Sequence, residues 1–178
     1  RNGAFGLSNT NRLIRFYSGA TGLKTGSTSK AGFCISATAC RDGMDLIAVI
    51  MGSETRDARN AAATQLLDWG FANYCVYCDE AGEGENVSVA GGVSPDVGTL
   101  LPKVRLLLPK GSAEKIEKQC EYTERTAAPV RRGDVLGSVT YTLDGETVAE
   151  EDITAERDVD KISFGGVLLR IFESFLLY

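Results

Sequence analysis

Residues 32–52 read GFCISATACRDGMDLIAVIMG, and no other stretch limits the fold as much. Residues 33–41 nearly alternate apolar and polar, as a half-buried strand does, while 45–52 form an almost unbroken apolar run. Between them, Arg41-Asp42-Gly43 contains the Asp-Gly pair that suits a tight hairpin turn. Two antiparallel strands are therefore expected here. Gly19, Gly22 and Gly26 lie upstream, after RLIRFY at 12–17. That hexapeptide reads as extended, leading into a third neighbouring strand that ends near Lys24.

A helix should follow the hairpin. Thr55 or Ser53 can cap it, and Ala58, Ala61, Ala62, Leu66 and Trp69 recur at helical spacing. Gly70 is expected to end or loosen it. One helix covers one sheet face. The other face of residues 1–78 is thus expected to be open, with exposed apolar surface, an unpaired strand edge, and a second helix lacking.

From residue 79 the texture changes. DEAGEGEN is acidic and glycine-rich, as a linker is. Short strand candidates follow at 87–90, 103–108, 130–142 and 147–153, with a polar stretch at 112–118, the pattern of a small all-β module. The module reads as a spacer or binding platform, since it lacks clustered reactive groups. The final segment GVLLRIFESFLLY, 166–178, is apolar apart from Arg170, Glu173 and Ser174, which fall on one helical face. It is too short to span a bilayer. It suits either a membrane surface or a docking site on protein.

Composition removes several function classes. At 178 residues and 43% hydrophobic, the chain can build one core and a small second domain. Its net charge of -5, with lysine and arginine scattered along the chain, argues against a nucleic-acid groove. The absence of histidine excludes histidine triads and most zinc sites. Any hydrolytic chemistry must use lysine, serine, tyrosine or carboxylates. Of the five cysteines, Cys34 reads as a small core hydrophobe. Cys75-x-x-Cys78 has redox or half-metal-site spacing, but without two further ligands a structural or incidental role is expected.

Lys24-Thr25-Gly26 can present a cation, a hydroxyl and an approachable backbone to an anionic ligand. A solvated turn explains three such residues equally well. The surrounding residues go further. NTN at 9–11, KTG at 24–26, Ala31-Gly32, Met51-Gly52, Arg59 and LLDWGF at 66–71, with RRGDVLGSVTYTLDGETVAE downstream, resemble the low-molecular-mass penicillin-binding proteins. These are the serine-type D-alanyl-D-alanine carboxypeptidases, and the resemblance covers roughly residues 1–165.

The resemblance implies an α+β fold. A partial DD-peptidase (β-lactamase-like) antiparallel sheet with a helix would occupy 1–78, a small β-rich domain 79–165, and an amphipathic, membrane-anchor-like helix 166–178. It implies hydrolysis of D-Ala–D-Ala in peptidoglycan stem peptides through an acyl-enzyme, with no metal or organic cofactor, sensitivity to β-lactam inhibitors, and a location at the outer face of the bacterial cytoplasmic membrane. Lys24 and Thr25 would engage the substrate carboxylate, helped by Arg59, and Gly26 would keep the strand clear. The Ser27 backbone N–H would be one oxyanion-hole donor. A helix-surface ion pair with Asp57 or Glu54 is the other reading of Arg59.

The family's serine-x-x-lysine nucleophile motif and its serine-x-asparagine are not convincingly present. Ser27-Thr-Ser-Lys30 overlaps the KTG motif on a strand end, and Ser112-Ala-Glu-Lys115 lies in the β-module. The chain lacks an initiator methionine and opens mid-pattern with RNGAFGLSNTN. An N-terminal fragment of the same precursor is therefore expected to carry the nucleophile, and this chain alone is expected to be inactive. Two other readings stay open: a non-catalytic cell-wall binding or scaffolding protein of the same fold, and a related serine β-lactamase.

Overall fold

The structure is a computed structural model that describes residues 9–176. The described chain forms two compact units, one taking residues up to Val76 with Leu107–Ala113, the other Tyr77–Leu106 and the residues from Glu114 onward.

The first unit opens with helix α1 (Leu13–Phe16), followed by strands β1 (Ala20–Thr28), β2 (Gly32–Arg41) and β3 (Met44–Ser53) and helix α2 (Arg56–Asn73). The strands form an antiparallel sheet in the order β1-β2-β3. At the Asp-Gly turn, Asp42 and Gly43 have φ of 49° and 74°. Both central residues are left-handed, which matches the turn to the twist of the flanking strands. The alternation places Ile35, Ala37 and Ala39 of β2 and Met44 and Ala48 of β3 in a core with Ala63, Leu67 and Phe71 of α2. Thr55 caps α2, its hydroxyl accepting from the Ala58 N–H at 3.1 Å. On the opposite sheet face Ile47, Val49 and Met51 are 69%, 59% and 78% exposed, and β3 is an edge of the described sheet. Both were expected of a sheet with one helix.

Three local readings are corrected. Residues 12–17 are not extended: Leu13–Phe16 form one helical turn, with the Tyr17 N–H donating to the Leu13 carbonyl at 2.8 Å. The strand that follows does not end near Lys24 but runs on to Thr28. Nor does Gly70 end α2, which continues to Asn73. A Cβ at Gly70 would fall 2.5 Å from Leu46 Cδ1, so the glycine lets helix and sheet approach closely.

Strand β4 (Tyr74–Asp79) leads out of α2 and pairs with β9 (Val104–Pro109); between them lie β5 (Gly82–Glu83), β6 (Val87–Ala90), β7 (Asp96–Val97) and β8 (Thr99–Leu101). A 3-10 turn at Ala113–Lys115 precedes β10 (Ile116–Tyr122), β11 (Arg125–Ala127), β12 (Val135–Leu143) and β13 (Glu146–Ala155). The second unit is β-rich, with a five-stranded sheet ordered β10-β12-β13-β8-β5 and a three-stranded one ordered β11-β6-β7. The candidate at 87–90 coincides with β6. The candidate at 130–142 corresponds to β12, which begins five residues later at Val135, and the polar stretch 112–118 already includes the start of β10. One core gathers Val87, Val89, Val97, Val130 and Leu136. A second gathers Val104, Val139, Tyr141 and Ile153.

Beside that second core, Asp79 accepts from the Tyr141 hydroxyl and from Lys118 Nζ, each at 2.6 Å. The Lys118 bond, then the Tyr141 bond, hold the Asp79 carboxyl below its ordinary range against the opposing effect of burial. Burial, then Asp79, pushes the Tyr141 hydroxyl up.

Helix α3 (Phe164–Leu176) follows the β-module. Phe164, Leu169 and Phe172 are exposed on it. The side chains of Arg170, Glu173 and Ser174, expected on one face, lie outside the described residues, as do residues 1–8 and 177–178. No helix among the described residues is long and apolar enough to cross a membrane.

Candidate functional site

The largest concentration of charge in the first unit is a cavity of about 540 Å3 beside β1. Lys24, Thr25, Gly26 and Ser27 all line it, as does Arg59, so these five candidate residues share one cavity. The strand supplies four of them. Lys24 Nζ donates to the Thr25 carbonyl at 2.6 Å, and the hydroxyls of Thr25 and Thr10 are 3.0 Å apart. Gly26 has neither a positive φ nor any atom near where a Cβ would sit. Neither backbone strain nor packing requires a glycine there. A side chain at 26 would instead take up cavity space.

Arg59 is not in the helix-surface ion pair that its acidic neighbours suggested. It is 4% exposed, with Nε and Nη2 donating to Asn60 Oδ1 at 3.2 and 2.9 Å and Nη1 reaching the Cys34 carbonyl at 3.4 Å. Burial, followed by the charge of Arg56, lowers its pKa. A buried guanidinium anchored to neutral oxygens keeps its full charge available to an anion in the cavity. Cys34, expected in the core, is only half-buried, and its thiol donates to the Ala31 carbonyl at 3.4 Å.

Asn9-Thr10-Asn11 entered the sequence reading only as part of the family resemblance, and its structural role was not foreseen. Asn11 is 1% exposed. Its Nδ2 donates to the Gly22 carbonyl at 2.9 Å, while its Oδ1 accepts from the Leu13 N–H at 3.1 Å. One buried amide therefore ties the start of α1 to the KTG strand, and this tie places Thr10, Arg12 and Arg15 at the cavity. Arg56, at the first turn of α2, also lines it; its guanidinium lies 5.8 Å from the centre of the Phe33 ring.

Lysine and arginine are thus not merely scattered. Arg12, Arg15, Lys24, Arg56 and Arg59 share this cavity, and among the described residues no Asp or Glu lines it. A signal was present: residues 1–41 hold six lysines and arginines and no acid at all, in a chain of net charge -5.

The serine-lysine strings do not form a helix-borne nucleophile. Ser27 and Lys30 sit at the end of β1 and in the turn after it, and Ser112 precedes a three-residue 3-10 turn. All five cysteines are free thiols. Cys75 and Cys78, three apart on β4, point to opposite sides of the strand, and among the described residues no group of three or more acidic or cysteine side chains is placed to hold a metal.

Comparison with known proteins accounts for both units. The D-alanyl-D-alanine carboxypeptidase family profile matches residues 2–55, and that of the penicillin-binding protein 5 C-terminal domain matches 79–161. The chain is 34% identical over 170 residues to the D-alanyl-D-alanine carboxypeptidase DacF of Bacillus subtilis, covering 93% of this chain and 44% of that protein. It is 33% identical over 153 residues to DacA of Haemophilus influenzae, covering 83% and 39%. Among solved structures, penicillin-binding protein 5 of Haemophilus influenzae superposes with a TM-score of 0.69 at 32% identity, over 84% of this chain and 45% of that one. The chain spans less than half the length of these relatives. By its two profiles, its identities and its fold, this chain belongs to the serine-type D-alanyl-D-alanine carboxypeptidase family of penicillin-binding proteins.

Proposed function

We propose that this chain forms the carboxylate-holding wall of a serine-type D-Ala–D-Ala carboxypeptidase that trims peptidoglycan stem peptides. The observation that carries the reading is the convergence of Lys24, Thr25, Gly26, Ser27 and Arg59 on one cavity lined by cations and, among the described residues, by no acid. The ammonium of Lys24, the hydroxyl of Thr25 and the guanidinium of Arg59 hold the substrate's terminal carboxylate. The space left by Gly26 admits the peptide. The Ser27 N–H donates to the carbonyl oxygen as it gains negative charge.

The attacking serine and its lysine base come from a segment outside these 178 residues. The serine oxygen bonds to the D-Ala–D-Ala carbonyl carbon, the peptide C–N bond breaks, and D-alanine leaves with a proton. Water then cleaves the ester and regenerates the serine. A β-lactam acylates the same serine. The β-rich unit acts as a spacer, and α3 rests on the outer face of the cytoplasmic membrane through its exposed apolar residues.

Labelling the native protein with a fluorescent penicillin, followed by a denaturing gel and intact mass, tests the proposal. The expected result is a labelled polypeptide other than this 19.0 kDa chain. Label on this chain would move the nucleophile to Ser27 or Ser112. No label, with a serine-x-x-lysine segment shown present by mass, would overturn the acyl-transfer reading in favour of a non-catalytic binding protein.

A further inference from the structure

The triplet Asn9-Thr10-Asn11 is built around its middle residue. The Asn9 side chain accepts from the Asn11 N–H at 2.9 Å, and the Asn11 side chain accepts from the Leu13 N–H at 3.1 Å. Each asparagine bonds to the backbone two residues on, so the first turn encloses Thr10 and the second locks the chain directly after it. Asn11 is also buried, and its Nδ2 bond to the Gly22 carbonyl fastens both turns to β1. Thr10 itself is exposed, lines the cavity and brings its hydroxyl to 3.0 Å from that of Thr25. Neither turn uses the Thr10 hydroxyl.

We infer that Thr10 is a positioning residue: its hydroxyl donates to Thr25 Oγ1 and thereby turns the Thr25 proton toward the substrate's terminal carboxylate. The inference rests on the carboxypeptidase reading and adds to it a residue that acts through Thr25 rather than on the substrate. A hydroxyl has one proton to donate and two lone pairs to accept with. If Thr25 gives its proton to Thr10, none is left for a ligand. If Thr10 is the donor, the Thr25 oxygen is satisfied on one side and its own proton is directed into the cavity. A bound carboxylate selects the second arrangement, because it can only accept. The two hydroxyls and the anion then form a chain in which each bond polarises the next. Thr25 is β-branched and sits on a strand, so its χ1 is already restricted. The hydroxyl hydrogen is the freedom that remains, and the Thr10 oxygen is placed to set it. A methyl group in place of that hydroxyl would leave the rotor undirected.

The test uses the whole protein, this chain together with the segment carrying the nucleophile. Calorimetry reads binding of a pentapeptide ending in D-Ala–D-Ala, and D-alanine release is followed on the same samples. Thr10→Val keeps the shape of the side chain and removes only its hydroxyl. It is expected to weaken binding about five-fold, with no change in thermal midpoint because the residue is exposed. Thr10→Ser, which restores the hydroxyl, should bind to within about two-fold of the native protein. In a Thr25→Val background, adding Thr10→Val should cost less than about two-fold, since the group it acts through is already gone. A merely structural role for Thr10 would instead give the same loss in both backgrounds. Native binding in Thr10→Val, failure of Thr10→Ser to recover it, or full additivity with Thr25→Val overturns the inference. D-alanine release with any of these outcomes leaves the carboxypeptidase reading standing and removes only this inference. The expected binding pattern with no release does the reverse, and a native protein that neither binds nor releases removes both.

Discussion

The two units place their cations differently, although the first also pairs Arg41 with Asp68. In the β-rich unit they are matched to acids: Arg131 to Asp158 and Asp160, Lys118 to Asp79, Lys103 to Glu80, Lys115 to Asp144. Such pairs solvate a surface, and exposed ones contribute little to stability. In the first unit five cations gather around one cavity that no acid lines among the described residues. Like charges around one cavity repel one another, and an anion there would relieve that repulsion. The apolar surfaces differ similarly. The second unit closes two cores of its own, while the first leaves one face of its sheet exposed.

The sharpest way to break this comparison is Lys24→Ala. Removing the ammonium proposed to meet the substrate anion should slow penicillin acylation of the whole protein by about a hundred-fold, or about 3 kcal/mol, with little change in thermal midpoint. A loss of stability in place of activity would make Lys24 another surface charge. Leu67→Ala should do the opposite. Leu67 is 1% exposed in the first core, and its truncation should cost about 3 kcal/mol. Trp69 is the chain's single tryptophan and lies on α2, so its fluorescence reports the first unit. That signal should shift to lower denaturant while the signals of the second unit hold.

Asn11→Ala should fall between these. Losing a buried amide that makes two backbone hydrogen bonds should cost about 1–2 kcal/mol. It should also weaken penicillin acylation, because Arg12 and Arg15 lose their anchor; unchanged acylation would show that α1 is held by something else.

Acid and alkali sharpen the comparison further. Asp79 of the β-rich unit has its carboxyl held below the usual range. Its contribution to stability is therefore present above the unfolded value of about 3.9 and is lost as pH falls through the lower folded one. Asp79→Asn should abolish that acid-side component. Tyr17 of the first unit is pushed up to about 12 by burial, then by its 2.7 Å hydrogen bond to Asp68, against the pull of Arg41. Its contribution is complete below about pH 10 and disappears as pH rises through the folded value. Unfolding followed by Trp69 fluorescence across this range checks the second statement, and tyrosine signals across the acid range check the first. The smallest effect belongs to Lys115→Ala. Its bond to Asp144 is 3.3 Å long with both side chains exposed, and no measurable change in midpoint is expected.

Much of the first unit was legible because its signals are local. The Asp-Gly turn, the two strand patterns and the Thr55 cap each involve a few consecutive residues, and each element formed where its pattern stands. Gly70 misled because a glycine in a helix weakens it in isolation, while here the missing Cβ makes room for Leu46. RLIRFY misled because a single helical turn has no periodicity to read, and a side chain outside it, Asn11, holds it in place. In the β-module the strand at Ile116–Tyr122 carries Glu117, Lys118, Gln119 and Glu121, too polar to read as a strand without its partner β12.

The site divides in the same way. The residues Lys24-Thr25-Gly26 are a sequence motif, and family resemblance is carried by residue identity, so both could be read from the chain. What surrounds the motif could not. The ion-pair reading of Arg59 gave way to a buried cation because α2 packs that turn against β2, and Arg12 and Arg15 reached the cavity because α1 packs on β1. Sequence by itself determined the family, the strand pairing and the KTG motif, since these depend on identity and short-range order. Only the tertiary structure decided that five separated cations share one cavity that no acid lines among the described residues, since charge density depends on distance in space rather than along the chain.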